Sequence, residues 1–287
     1  MTWNKQAGGR GPQTSPAAIH SAQNPRVKEW AQLLERKGRD KQGKFLLEGI
    51  HLVEEALASG YIPETVIYAA DRAGLLPARL LTLAQERGVE CVAVSEQVLA
   101  KCSDTETPQP IAAVMPKLAR TPGDLLEASL SAGLVAVIDG IQDPGNLGTI
   151  IRSADAVGAT GVLIGRGTVD LYNPKTVRAT MGSLFHLPIA QGDLGEWLPR
   201  AAQAGISVVS TRLEQAVSCY EYDFRQPTWF VIGNEGQGVS PAVQALATGH
   251  LTIPMQGRSE SLNAAMAATV VLFEAMRQRM TTPGQSE

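Results

Sequence analysis

Three short stretches of this 287-residue chain gather side chains with distinct chemical capacities. In the first, Asn146, Gly148 and Arg152 place a carboxamide and a guanidinium six residues apart, just after an apolar run. The second is Gly233-Asn234-Glu235-Gly236-Gln237-Gly238, and the third is Ile253-Pro254-Met255 followed by Ser261-Leu262-Asn263. A guanidinium can hold a phosphate and stabilise an oxygen that is gaining negative charge. A carboxylate and carboxamides can orient it through charge-assisted hydrogen bonds. Glycine-rich loops let backbone N–H and C=O groups approach a flat ligand closely. The glycine spacing reverses that of the dinucleotide fingerprint, and the chain has no Walker A sequence, which argues against a dinucleotide oxidoreductase or a nucleotide triphosphatase.

These groups act together only if the fold brings three loops to one place. Each stretch follows an expected strand, over 135–139, 228–232 and 250–253. Helices are expected over 147–157, with Asn146 as its start, and over 262–280, with Ser261 as its cap. Ligands collect where loops leave the C-terminal ends of strands in an open α/β sheet. The intervals read as strand 161–164, helix 174–184, strand 187–190, helix 194–204 and strand 207–211, the rhythm of parallel strands with crossover helices. Gly165-Arg166-Gly167 reads as a turn, and Ser240-Pro241 as a helix cap followed by proline.

A second, smaller alternation lies upstream. Strands are expected over 45–47, 65–68, 90–94 and 111–114, with helices over 50–58, 77–87 and 96–101. Asn24-Pro25 starts a helix whose Val27, Trp30, Leu33 and Leu34 recur at helical spacing, and residues 36–44 read as a basic, glycine-broken loop. Glu48 reads as a buried or interfacial carboxylate with a structural role. The division expected is a disordered tail over 1–20, an N-terminal domain over 21–117, a linker with a short helix over 118–133, and a C-terminal domain over 134–282.

Composition limits the function. Aromatic residues make up 5% of the chain, too few for base stacking to be the main mode of RNA contact. No apolar run approaches a membrane span, and the first residues lack a signal-peptide core, so a cytoplasmic location is expected. Cys91, Cys102 and Cys219 are scattered and odd in number, and His20, His51, His186 and His250 have no ligand spacing, so neither a disulfide framework nor a metal site is expected. His51 and His186 read as packing or surface residues. The net charge of −3 is unevenly spread. Residues 1–50 hold nine Lys and Arg against four Asp and Glu, a net +5 that leaves −8 for the rest. Arg36, Lys37, Arg39, Lys41 and Lys44 therefore form a candidate phosphate-contacting patch, and Arg178 and Arg258 are further candidates.

The three stretches, in this order and spacing, resemble the three motifs of the SpoU/TrmH family of RNA ribose 2′-O-methyltransferases within the SPOUT superfamily. The resemblance covers about the C-terminal half directly. The Phe45-Leu46-Leu47-Glu48-Gly49 segment is similar, more softly, to the start of the RNA-binding domain that precedes the catalytic domain in rRNA-type members. The resemblance implies an α/β fold: a C-terminal parallel-sheet domain with a deep trefoil knot, plus a smaller N-terminal α/β RNA-binding domain. It implies S-adenosylmethionine as cofactor, no metal, and a homodimer joined through the final helix, on which Leu262, Met266, Val270, Phe273 and Met276 make an apolar face. Arg152, Asn146, Glu235, Ser261 and Asn263 are then the expected catalytic group. Gly233, Asn234, Gly238, Ile253, Met255 and Leu262 are expected to bind the cofactor, with Thr211 beside the adenosine. A guanidinium is a poor proton acceptor. Arg152 is therefore expected to act by electrostatic stabilisation and orientation, and the group that removes the proton stays open. The full N-terminal domain places rRNA ahead of tRNA as substrate; a non-catalytic RNA-binding factor on the same fold is the alternative. The target nucleotide, and a housekeeping or antibiotic-protection role, stay open.

Overall fold

The computed structural model describes residues 18–212, 215–258 and 261–281. The N-terminal unit runs α1 (Pro25–Gln32), α2 (Arg36–Gln42), β1 (Lys44–Glu48), α3 (Ile50–Ala58), β2 (Thr65–Ala69), α4 (Leu80–Glu86), β3 (Glu90–Val94), α5 (Glu96–Lys101) and β4 (Ile111–Pro116). Its four strands lie in the order β1-β4-β2-β3, with β4 antiparallel to both neighbours and β2 parallel to β3. The second unit runs α6 (Pro122–Ser129), β5 (Leu134–Asp139), α7 (Pro144–Ala156), β6 (Gly161–Gly165), α8 (Pro174–Ala179), β7 (Ile189–Gly192), α9 (Leu194–Gln203), β8 (Ser207–Thr211), β9 (Val217–Ser218), β10 (Thr228–Gly233), α10 (Pro241–Gln244), β11 (Gly249–Thr252) and α11 (Ala264–Met280). Its seven strands are all parallel, in the order β7-β6-β5-β10-β8-β11-β9.

Both faces of the large sheet are covered, as its nearly unbroken apolar strands require. Along β5, Leu134, Ala136 and Ile138 face a core shared with α7, α8 and α11, while Val135 and Val137 face a second core with α6 and α9. Trp229 is fully buried on that second side, and its indole N–H donates to Ser129 Oγ at 3.1 Å. The expected linker helix is therefore part of this layer: Leu125 of α6 is fully buried against it. The first core continues without a break into the N-terminal unit, where Phe45 packs on Tyr172 with ring centroids 4.6 Å apart.

Several local expectations are corrected. Residues 36–44 are not a loop: α2 occupies most of them, and Gly38 is where it crosses the backbone of Gln32, with no room for a Cβ. Gly43 ends that helix at φ 65°, a left-handed position suited to glycine. The helix expected over 174–184 stops at Ala179, because Met181 and Gly182 both take positive φ and a single 3-10 turn, Ser183–Phe185, follows. Asp143, not Asn146, caps α7; its Oδ1 accepts from the Asn146 N–H at 2.9 Å. Asn263, not Ser261, caps α11, with Oδ1 accepting from Ala265 and Met266 N–H. Of the tail expected over 1–20, residues 1–17 lie outside the described residues, while Ile19 bridges the edge of β3 at Val94.

Arg39 is the largest departure. Its side chain is 3% exposed and forms an ion pair with Asp170, 131 positions away. Nε and Nη2 donate to Asp170 Oδ2 at 2.9 and 2.6 Å, and Nη1 donates to the Leu33 and Leu34 carbonyls. Removing one partner of such a buried pair costs about 3–5 kcal/mol. Arg39 thus bolts the two units together and does not face solvent. Arg178 does likewise, pairing with Asp104 and Glu48 of the N-terminal unit instead of standing free for phosphate. Glu48 is structural as expected: Ser103, Thr105 and the Gln109 N–H all donate to it. His51 and His186 also join the units, His51 to the Met181 carbonyl and His186 to Glu55.

Candidate active site

The three chemical stretches meet at the C-terminal ends of β5, β10 and β11. Gly233 closes β10, and a Cβ there would stand 2.1 Å from Gly238 C and Val239 N, so only glycine allows the loop to fold back on its strand. The loop is closed by paired hydrogen bonds between Asn234 and Gly238. Asn234 Oδ1 accepts from the Gly236 and Gln237 N–H groups, and its Nδ2 donates to the Gly140 carbonyl. Its side chain therefore shapes the loop, and the backbone is what faces the cleft.

Glu235 reaches across to the loop after β5. Its carboxylate accepts from the Gln142 N–H and Asp143 N–H, each at 3.1 Å, and from Asn146 Nδ2 at 2.9 Å. Asn146 Oδ1 in turn accepts from Asn263 Nδ2 at 3.0 Å. One residue from each stretch is thus tied in a chain, and the Asn146 amide has one defined orientation. Burial pushes the Glu235 carboxyl up, but Asn146 and the backbone donors together outweigh it and hold it below the usual carboxylate range. It is therefore an anion at neutral pH. Gly148, two residues further along α7, is required by packing: a Cβ would stand 2.5 Å from Ala179 Cβ on α8.

A cleft of about 580 Å³ opens beside this chain of groups. Its lining includes all seven expected cofactor residues: Thr211, Gly233, Asn234, Gly238, Ile253, Met255 and Leu262. Glu235 and Ser261 also lie on it. Apolar side chains of Ile232, Leu251 and Ile253 give it a greasy wall, while the glycine loop offers backbone polar groups, a mixture suited to a flat heterocycle with a polar tail. Arg212, Gln237 and Gln244 were not anticipated. Gln244 Nε2 donates to the Thr211 carbonyl and its Oε1 accepts from Ser210 Oγ, which fixes the end of β8. A glutamine on a four-residue helix carries no sequence signal for that role. Asp139, also missed, holds the next loop by accepting from the Ser240 N–H at 2.7 Å.

Arg152 does not join the group. It is exposed, about 9 Å along α7 from Asn146, does not line the cleft, and its side chain makes no hydrogen bond or ion pair among the described residues. Arg36, Lys37, Lys41 and Arg258 are exposed, whereas Lys44 is half-buried and paired with Glu64. Among the described residues no three His, Cys, Asp or Glu side chains gather as a metal would need.

Residues 133–273 match the SpoU rRNA Methylase family, and residues 24–113 match the MRM3-like substrate binding domain. The chain is 39% identical to the 23S rRNA (guanosine(2553)-2′-O)-methyltransferase RlmP of Bacillus subtilis, over 89% of this chain and 97% of that one. The chain belongs to the SpoU rRNA methylase family. Another relative, the 23S rRNA (uridine(2479)-2′-O)-methyltransferase of Streptomyces viridochromogenes, is 35% identical over 95% of this chain and 96% of its own. These two SpoU relatives act on different bases, so shared sequence at this level does not fix the base. Among solved structures, the AdoMet-bound rRNA methyltransferase from Sinorhizobium meliloti superposes with a TM-score of 0.80 at 32% identity, covering 91% of this chain and 97% of that one. Within the SpoU fold, the residues lining this cleft fit the same cofactor: a glycine-only crossing at one end and an apolar wall at the other.

Proposed function

We infer that this protein methylates a ribose 2′-hydroxyl in ribosomal RNA of the large subunit, with S-adenosylmethionine as donor. The observation that carries this is the hydrogen-bonded set Asn146–Glu235–Asn263 at the mouth of the glycine-lined cleft. S-adenosylmethionine supplies, when bound, a methyl group on a sulfonium that becomes neutral as the group departs. The chain supplies position and charge. Glu235, an anion that accepts from the Gln142 and Asp143 N–H groups and from Asn146 Nδ2, orients Asn146. Asn146 and Asn263 orient the ribose, and the Ser261 segment and Leu262 close over it. Arg152 grips the phosphate beside the target ribose and stabilises the oxygen as it loses its proton.

The outward position of Arg152 supports a homodimer. On α11, Ala265, Ala268, Val271, Leu272 and Ala275 face the core, while Met266 and Phe273 are 60% and 42% exposed. The apolar face anticipated for this helix therefore points mainly outward, and a partner would cover it. Thr269 lies on that stripe and shares a 2.7 Å hydrogen bond with Ser153, the neighbour of Arg152. A second copy docked on the stripe brings Arg152 into a composite site. The placement of β10 between β5 and β8, followed by β11 beyond β8, supports the expected trefoil threading. The exposed Arg36, Lys37 and Lys41 on α2 give the N-terminal unit its RNA-facing patch. Among the described residues no helix is long and apolar enough to cross a membrane, and the proposed setting is the cytoplasm, where rRNA is processed.

The deciding experiment is transfer of labelled methyl from S-adenosylmethionine to unmodified rRNA, assembly intermediates and tRNA, with the product nucleotide mapped. One 2′-O-methylated ribose in rRNA is expected. Incorporation into tRNA alone would move the substrate, and cofactor binding without transfer to any RNA would leave a binding factor.

A further inference from the structure

Arg39 stands in a basic helix yet faces inward, so its charge serves something other than solvent or phosphate. Its partner Asp170 belongs to the loop after β6. That loop is laced to the one that holds the active-site carboxylate. The Val169 N–H donates to the Ile141 carbonyl at 2.9 Å, the Gly140 N–H to Thr168 Oγ1 at 3.2 Å, and Gln142 Nε2 to the Gly167 carbonyl at 2.7 Å. The Gln142 and Asp143 N–H groups then donate to Glu235. An unbroken path of close contacts thus runs from α2 through Arg39 and Asp170 to Glu235 and Asn146.

We propose that Arg39 is a positioning residue for catalysis: its pair with Asp170 sets the register between the RNA-facing helix α2 and the loop that aims the Asn146–Glu235 group. This rests on the reading that the N-terminal unit seats the RNA. Two physical points favour it. At seven residues, α2 is too short to hold its own orientation, so its direction is set by what anchors it. A buried ion pair adds little net stability compared with apolar packing, but it is exacting about geometry. Arg39 makes four hydrogen bonds, two to Asp170 and two to the Leu33 and Leu34 carbonyls just past α1. It therefore fixes α2 to both its own unit and the catalytic one.

The test is single-turnover methyl transfer at saturating RNA and cofactor, with RNA and S-adenosylmethionine affinities measured separately, for wild type, Arg39→Gln, Arg39→Lys and the paired Arg39→Met/Asp170→Leu. Misplacement by about 1 Å costs on the order of 100-fold in rate, so Arg39→Gln is expected to lose roughly 10- to 100-fold. Its RNA affinity should stay within about threefold, and its cofactor affinity should be unchanged. Arg39→Lys, which keeps the charge opposite Asp170, should recover part of the rate. Weakened RNA binding with an intact saturating rate would make Arg39 a phosphate contact and overturn the proposal; an unchanged rate would do the same. Should Arg39→Gln fail to fold, the paired variant decides, since it buries no unpaired charge: a slow folded protein supports the register role, and a fast one refutes it. Failure of the underlying functional reading shows in the wild-type protein, as an absence of transfer to any rRNA. Failure of this inference shows only in the ratio of variant to wild type.

Discussion

Replacing Glu235 by glutamine tests the core of the site at the smallest cost in shape. The carboxylate accepts three hydrogen bonds, two at Oε1 and one at Oε2. A glutamine can keep its oxygen on the Asp143 N–H and Asn146 Nδ2, but its NH₂ then faces the Gln142 N–H, donor against donor. One charge-assisted bond is lost and the other two become neutral, roughly half as strong. Summed at ordinary values this amounts to about 3 kcal/mol. The side chain is exposed, so water replaces part of what is lost, and about 1–2 kcal/mol is a fairer figure. Passed wholly to the transition state, that is roughly a 5- to 30-fold slower single-turnover rate. Because the lesion concerns the aim of Asn146, cofactor affinity should change by less than about threefold. Glu235→Ala, which removes all three acceptors, should be slower still. A Glu235→Gln rate within about twofold of wild type, or an alanine variant faster than the glutamine one, would mean that Glu235 does not orient the site.

Other expectations follow from named contacts. Arg152→Ala should lose roughly 100- to 1,000-fold in transfer rate with cofactor affinity retained, read by single turnover and calorimetry. Gly233→Ala, whose Cβ meets backbone on both sides, should weaken cofactor binding at least tenfold, about 1.4 kcal/mol; titration calorimetry measures it. Asn263→Ala removes the α11 cap and the donor to Asn146, so Tm should fall by about 2–4 °C and the rate should fall with it. His186 is raised above its ordinary value of 6.5 chiefly by its hydrogen bond to Asp155, opposed by burial and assisted by Glu55. A raised folded value means the stabilisation is fully present below the unfolded value and is lost as pH rises through the folded one. The Tm advantage of wild type over His186→Gln should therefore shrink as pH rises from 6 toward 8, by no more than about 2–4 °C for a partly exposed pair.

Much of this was legible because local and global preferences agree. Strands Glu90–Val94 and Ser207–Thr211 and helix Glu96–Lys101 fall at the expected residues, since apolar runs bounded by turn residues and a capping Ser95 leave little choice. The cleft lining was legible for a different reason: the family resemblance marks the loops after β10 and β11, whereas their glycines alone imply no more than turns. Caps were harder. Asp143-Pro144 was itself a cap signature, but the polar Asn146 three residues on drew the assignment away. Asn263 competed with Ser261 two positions earlier, and only the helix direction decides between them. The burial of Arg39 had no local signal at all, because its partner is supplied by a contact between units. Gly38 misled for a related reason: it looks like a helix breaker, yet it serves a close crossing of α1 and α2.

The order of strands carries a consequence for how the chain is made. Residues 228–233 fill the middle of the sheet, pairing with Leu134 and its neighbours on one side and with Ser207 to Ser210 on the other. A nascent chain that has emerged only to residue 212 has β5 and β8 complete but no strand between them, with two open edges awaiting a partner. Pairings of such sequence separation form late, and the open edges invite association with other chains meanwhile. The cleft depends on residues still further on, to Ala264 and Ala267. Cofactor binding is therefore acquired only once the chain has been made past residue 267, and a chain released before that point is blind to it.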